Sequence, residues 1–169
     1  MKKITTPFTE EIIKSLQVGE QILLSGEIYT ARDAAHKRLV EQPLSDVHGK
    51  VVYYCGPCPA PPGKIIGSAG PTTSSRMDAY SPTLIKAGLK IMIGKGNRSQ
   101  AVIEAICEYG GVYLAAIGGA GALLAQCVKK SKVVAYEDLG TEAVHRLTVA
   151  DMPLIVAIDS KGGNIYELR

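Results

Sequence analysis

Three short segments of this 169-residue chain set a cation beside small or hydroxyl-bearing residues, a combination suited to holding anions. The first is Tyr29-Thr30-Ala31-Arg32-Asp33-Ala34-Ala35-His36. The second is the hydroxyl-rich Gly70-Pro71-Thr72-Thr73-Ser74-Ser75-Arg76-Met77-Asp78, and the third is Gly94-Lys95-Gly96-Asn97-Arg98-Ser99. Arginine grips a carboxylate through two parallel hydrogen bonds, while lysine adds a compact charge. Glycine lets a ligand reach the backbone, and a helix start favours an anion. Together the segments suggest a pocket for a small dianion. Each also has a plainer reading. GKGNRS has the form of a turn and helix cap. TTSSR could be a capping stretch with Arg76 in solvent, and Arg32 could meet a surface carboxylate at almost no gain. His36, four residues after Arg32, would share its helix face and reads as a structural residue before an acid or base.

Cys55-Gly56-Pro57-Cys58 has the spacing of a redox C-x-x-C centre. Such a centre lowers the pKa of its first thiol at a helix N-terminus. Here Pro59-Ala60-Pro61-Pro62-Gly63 follows, and that run cannot continue as a helix. Cys107 and Cys127 read as small core residues on helices, so the pair lacks the further ligands of a closed metal site. The CGPC stretch is expected to be a rigid extended loop. A glycine-rich run, Gly118-Gly119-Ala120-Gly121-Ala122-Leu123-Leu124, follows an apolar segment but has leucine at the third glycine of a dinucleotide loop. GKGNRS is not a phosphate loop either, because no Ser or Thr follows Lys95.

The elements that must position these residues follow from the apolar pattern. Thr9 caps a short helix, residues 21–31 have strand composition, and residues 31–41 have helical composition. KVVYYC is a buried strand, and in the proline- and glycine-rich passage after it only Lys64-Ile65-Ile66 could be strand. Helix and strand then alternate: helix 81–88, strand 89–94, helix 97–110, strand 112–119, helix 120–130 and strand 132–138. VHRLTVADMP comes next, and LIVAID and NIYEL around Lys161-Gly162-Gly163-Asn164 suggest a terminal hairpin. The alternation over Leu89 to Asp138 predicts an α/β core, with the early strands and the hairpin outside it. One domain, 1–169, with residues 1–22 as its lead-in, suits the length.

Composition excludes several classes. Hydrophobic residues at 46% and charged residues at 21% are ordinary for a globular domain. A net charge of +3 without a basic run gives no reason to expect nucleic acid. No apolar run approaches the roughly 18 residues of a membrane span. The opening MKKITTPFTEEII is acidic where a signal peptide is apolar, so a cytoplasmic protein is expected. In that compartment the four cysteines are thiols before they are structural disulfides.

TARDAAHKRL, YCGPCPAPPGKIIGSAGPTTSSRMD, IGKGN and GGVYLAAIGGAGALLAQ, in that order, closely resemble the β subunit of the iron–sulfur hydro-lyases. These are the class I fumarases and related tartrate dehydratases, where the same region can be the C-terminal half of a longer chain. The likeness runs from about Leu23 to the C-terminus. It implies a swivelling β/β/α domain, an α/β fold with a mixed sheet core and packed helices. It also implies an incomplete enzyme, assembled in α2β2 fashion. Family members carry a [4Fe-4S] cluster on three cysteines of the α subunit or N-terminal half, which nothing in this chain matches.

By the same resemblance Arg32, Arg76 and Lys95 would hold the two carboxylates of fumarate, malate or tartrate, and Thr72 would be the candidate base. Such a division suits the chemistry. Dehydrating a 2-hydroxy dicarboxylate removes a weakly acidic C3 proton and expels hydroxide; an iron can polarise the hydroxyl, and cations can stabilise the aci-carboxylate. Threonine needs an activating neighbour to act as a base, and the sequence names none. Two other readings stand beside this one: a self-sufficient nucleotide- or phosphate-binding module, and a thiol–disulfide oxidoreductase using Cys55 and Cys58.

Overall fold

The computed structural model describes residues 1–42, 46–116 and 121–167. Its first helix, α1 (Glu10–Ser15), begins where Thr9 predicts: the Thr9 hydroxyl accepts the Ile12 amide at 3.2 Å, and Glu10 and Glu11 lie in the positive first turn. Before it runs β1 (Lys2–Thr5), which the sequence reading left inside the lead-in. After it come β2 (Gln21–Thr30), α2 (Asp33–Glu41), β3 (Val51–Tyr53) and a 3₁₀ turn over Ser74–Met77. The chain continues through α3 (Ser81–Lys86), β4 (Ile91–Gly94), α4 (Gln100–Tyr109) and β5 (Val112–Ala116). It closes with α5 (Gly121–Gln126), β6 (Val128–Ala135), a 3₁₀ turn over Glu137–Glu142 and β7 (Val144–Ile158). The alternation is right, and so are its local reasons: Ser99 caps α4 through the Val102 amide, and Gly110 ends it in the left-handed region at φ 71°.

The strands form one mixed sheet in the order β1-β2-β3-β4-β5-β7-β6, so the early strands belong to the core instead of lying outside it. β1 to β5 run parallel where they pair, and β7 is antiparallel to β2, β5 and β6. Because β2 also pairs with β7, the strands β2-β3-β4-β5-β7 close into a ring. Strand alternation then sends side chains to two separate cores. Val51 and Tyr53, Ile91 and Ile93, and Val112 and Leu114 join Ile22, Leu24 and Ile28 in one cluster. Val52, Met92, Tyr113 and Ala115 face the other way, against Ala35 and Leu39 of α2, Leu84 and Ile85 of α3, and Val102 and Ile106 of α4.

Five local expectations are corrected. The two runs VHRLTVADMP and LIVAID are a single strand. Pro153 does not break it, because on that side β7 changes neighbours there, from β6 over Val144–Val149 to β5 over Leu154–Ile158. The extra residue of a bulge is taken up at Asp151, whose φ of 50° an aspartate tolerates. Among the described residues the expected terminal hairpin is reduced to one antiparallel bridge between Ile158 and Asn164, with the Ile165 amide on the Ala157 carbonyl, and no second strand forms. Lys64-Ile65-Ile66 is not strand, and the helix expected over 120–130 ends at Gln126, with Val128 already in β6. Cys107 is exposed on α4 and Cys127 only partly covered, so neither is the core residue expected. No described helix is long and apolar enough to cross a membrane.

Candidate functional site

The carboxyl ends of β2, β3 and β4 lie side by side in the parallel part of the sheet; the Arg32 and Lys95 segments leave from β2 and β4, and the Arg76 segment returns to the end of β3. That edge is where open α/β sheets hold ligands. Arg32 follows β2 and occupies the N-cap position of α2, with extended backbone and no side-chain cap bond. Its side chain lies across the loop after β3: a Cβ on Gly56 would come within 2.8 Å of Arg32 Cδ. The glycine of CGPC is therefore the space in which Arg32 lies, a role that needs no thiol.

Asp33 joins two of the predicted cations. Its Oδ1 is 3.8 Å from Arg32 Nε, and its Oδ2 accepts a hydrogen bond from Arg76 Nε at 3.2 Å. Arg32 Nε and Asp33 Oδ1 are buried with no hydrogen-bond partner, held near one another by charge alone. Arg76 sits on the Ser74–Met77 turn with its side chain half exposed. Thr72, just upstream, is anchored by its amide to the Tyr54 carbonyl at 2.7 Å, which continues the line of β3. Lys95 follows β4 and is exposed; its carbonyl accepts the Ser74 amide at 2.9 Å, and its backbone bridges to Thr73 in parallel. Arg32, Thr72, Arg76 and Lys95 are thus brought to one loop face. The three cations outnumber Asp33, and such a surplus of positive charge suits an anion.

Beneath this face lies a buried set that the sequence reading did not single out. The Arg98 side chain is fully buried, and its Nε donates to Asp78 Oδ1 at 2.7 Å. Its Nη2 donates to Ser81 Oγ at 2.8 Å and to the Tyr54 hydroxyl at 3.2 Å. The guanidinium lies 5.1 Å and 4.8 Å from the ring centroids of Tyr54 and Tyr113, near enough for cation–π attraction. Asp78 Oδ2 accepts the Ser99 amide at 2.8 Å, so the loop carrying Arg76 is bound to the start of α4. The signal in the sequence was only an arginine in GKGNRS; its partner stands 20 residues upstream.

His36 is the structural residue expected. It is buried, with Nδ1 2.8 Å from the Arg32 carbonyl. A carbonyl only accepts, so Nδ1 carries the proton. Burial is the main cause that lowers its pKa to about 4, opposed by this bond to Arg32. The unfolded chain takes up the proton near the ordinary value of 6.5, while the folded chain refuses it until about 4, so stability is lost as pH falls through that window. The loss is expected to be on the order of 3 kcal/mol. His36→Asn, which keeps a donor at the Nδ1 position and cannot titrate, should remove this part of the slope. Urea unfolding of both proteins at pH 7 and pH 4.5 measures it; equal slopes would contradict the assignment.

The redox and metal readings of the cysteines find no support in the geometry. Burial pushes the Cys55 thiol up to about 12, opposite to the shift an exchange nucleophile needs. Cys58 is exposed on a loop fixed by its amide to the Ser68 carbonyl. Among the described residues no group of three or more His, Cys, Asp or Glu comes together. The donor set of this chain does not fit a [4Fe-4S] cluster. Gly118, Gly119 and Ala120 of the glycine-rich run lie outside the described residues.

Comparison with known proteins places the chain beside one group of relatives. A family model described as the fumarase C-terminus matches residues 2–168. The aerobic class I fumarate hydratase of Escherichia coli K12 is 38% identical over 94% of this chain, covering 31% of its own length. Fumarate hydratase 1, mitochondrial, of Leishmania major is 40% identical over 93% of this chain and 31% of its own length. A Methanocaldococcus jannaschii protein assigned as an L(+)-tartrate dehydratase subunit beta is 40% identical over 94% of this chain and 88% of its own length. The chain spans about a third of the fumarate hydratases it matches and most of the β subunit.

Proposed function

The chain belongs to the fumarase C-terminus family, and from that premise we propose that it is the carboxylate-binding part of a hydro-lyase that interconverts fumarate and malate, or dehydrates tartrate. The observation that carries this reading is the convergence of Arg32, Arg76 and Lys95 on one face with Thr72 among them. In this reading the chain works as one domain in a cytoplasmic enzyme. Its partner is an α subunit, or the equivalent part of a longer chain, in an α2β2-type assembly. The name of the M. jannaschii relative, a subunit beta, supports a separate partner. So does the open face of the site, where Arg76 and Lys95 are left in solvent. The partner carries the [4Fe-4S] cluster, since the cysteines here are scattered and do not fit one.

The roles of this chain follow from the side chains. Arg32 and Lys95 hold carboxylate oxygens of the substrate, and Arg76 presents its two Nη groups to a carboxylate while Nε stays on Asp33. As the C3 proton leaves in the dehydration direction, charge moves onto the adjoining carboxylate, where these cations stabilise it. The Thr72 oxygen takes that proton while its own hydroxyl proton passes to an activating neighbour, and the two transfers reverse in hydration. Among the described residues no side chain accepts a hydrogen bond from it. Thr72→Val keeps the shape and the anchoring amide but removes the hydroxyl. In the assembled enzyme it should lower kcat by about a hundredfold with KM nearly unchanged, the typical size of a general acid–base contribution. Steady-state kinetics on fumarate and malate check it, and wild-type kcat in the variant would remove Thr72 from the chemistry.

A further inference from the structure

Lys95 is exposed on a five-residue connection between β4 and α4, yet it must meet one carboxylate at a set distance from Arg76 and Thr72. An error of about 1 Å in such a contact can cost two orders of magnitude. The turn is held from below by a chain of hydroxyls. Tyr113 Oη donates to the Gly96 carbonyl at 2.7 Å, directly after Lys95. Tyr113 has one hydroxyl hydrogen, so the 2.7 Å contact between Ser74 Oγ and Tyr113 Oη must be donated by Ser74. Ser74 also gives its amide to the Lys95 carbonyl at 2.9 Å. One serine and one tyrosine therefore tie two successive carbonyls, those of Lys95 and Gly96, to the turn that carries Arg76. The fit is close: a Cβ on Gly94 would stand 1.9 Å from Ser74 Oγ, so only glycine leaves room for the serine. Arg98 lies against the Tyr113 ring and fixes the same turn through Asp78.

We propose that the Ser74–Tyr113–Gly96 hydrogen-bond chain, braced by buried Arg98, is a positioning device that sets Lys95 against Arg76 and Thr72. It rests on the functional reading above and extends it to groups that need not touch the substrate. Tyr113 and Ser74 are buried, and their hydroxyls have no other partner among the described residues. A tyrosine serving only the core would do as well as phenylalanine.

The test is a double-mutant cycle in the assembled enzyme, with fumarate as substrate. Tyr113→Phe should raise KM and lower kcat/KM about tenfold. In a Lys95→Ala background the same change should cost less than twofold, because the lysine it positions is gone. Ser74→Ala, which keeps the Tyr113–Gly96 bond, should show a smaller loss with the same dependence on Lys95, and it carries the test if Tyr113→Phe does not fold. Wild-type kinetics for Tyr113→Phe would overturn the proposal. So would an equal loss with and without Lys95, which would mean general damage to the fold. If the wild-type assembly adds no water to fumarate and removes none from malate or tartrate, the functional reading fails first and the positioning role falls with it.

Discussion

The isolated chain is expected to add no water to fumarate, and the assembly with its partner is expected to do so readily. The reason lies in what the loop face contains. Arg32, Arg76 and Lys95 can bind and neutralise carboxylates, but neutralising a dianion does not expel a hydroxide from carbon. The described residues include no trio of metal-ligating side chains, and the four cysteines are divided among the buried start of the loop after β3, the exposed part of that loop, α4 and the α5–β6 junction. The face is also open, and charge stabilisation is far weaker in a site that water can enter. Anaerobic co-expression with the partner, followed by ultraviolet loss of the fumarate double bond, measures the effect. The chain alone should lie at background. Robust metal-free turnover by the purified 169-residue chain would end the two-part reading.

Arg76→Lys should lower kcat/KM of the assembled enzyme at least tenfold, about 1.4 kcal/mol. Arg76 has two tasks that a lysine cannot share out. Its Nε is held by Asp33 at 3.2 Å, and that contact directs the planar fork so that both Nη groups are free to meet a carboxylate. Lysine has a single nitrogen on a flexible stem; if it stays on Asp33 it is lost to the substrate, and if it reaches the substrate Asp33 is left beside Arg32 alone. Arg32→Ala and Lys95→Ala should be as damaging or more so, since each removes a whole charge from a site facing a dianion. Arg32→Ala also empties the space over Gly56. Steady-state kinetics on fumarate and malate, with thermal unfolding to confirm the fold, check the set. If these variants and Thr72→Val all keep wild-type kinetics, the pocket is elsewhere.

Much of the molecule was legible residue by residue where the cause is local. Thr9 and Ser99 announce helix starts because a side-chain oxygen can satisfy an amide three residues on, and Gly110 announces a stop because it accepts the left-handed region. The alternating apolar residues of 91–94 and 112–116 are legible because strand side chains point alternately to the two cores. The proline run after Cys58 already denied that thiol a helix. The amino-acid order thus carried the alternating elements, the family resemblance and the placing of Arg32 and Lys95 just after strands. Only the tertiary structure decided the rest. β1 joins the sheet by pairing with β2, and β7 runs through Pro153 because its neighbour changes there; neither follows from a window of a few residues. Asp33 meets Arg76 across 43 residues, Arg98 meets Asp78 across 20, and Ser74 meets Tyr113 across 39. A side chain's type states what it can bond, but its partner is chosen by which strand ends the closed sheet places side by side, and that choice is made by the whole chain at once.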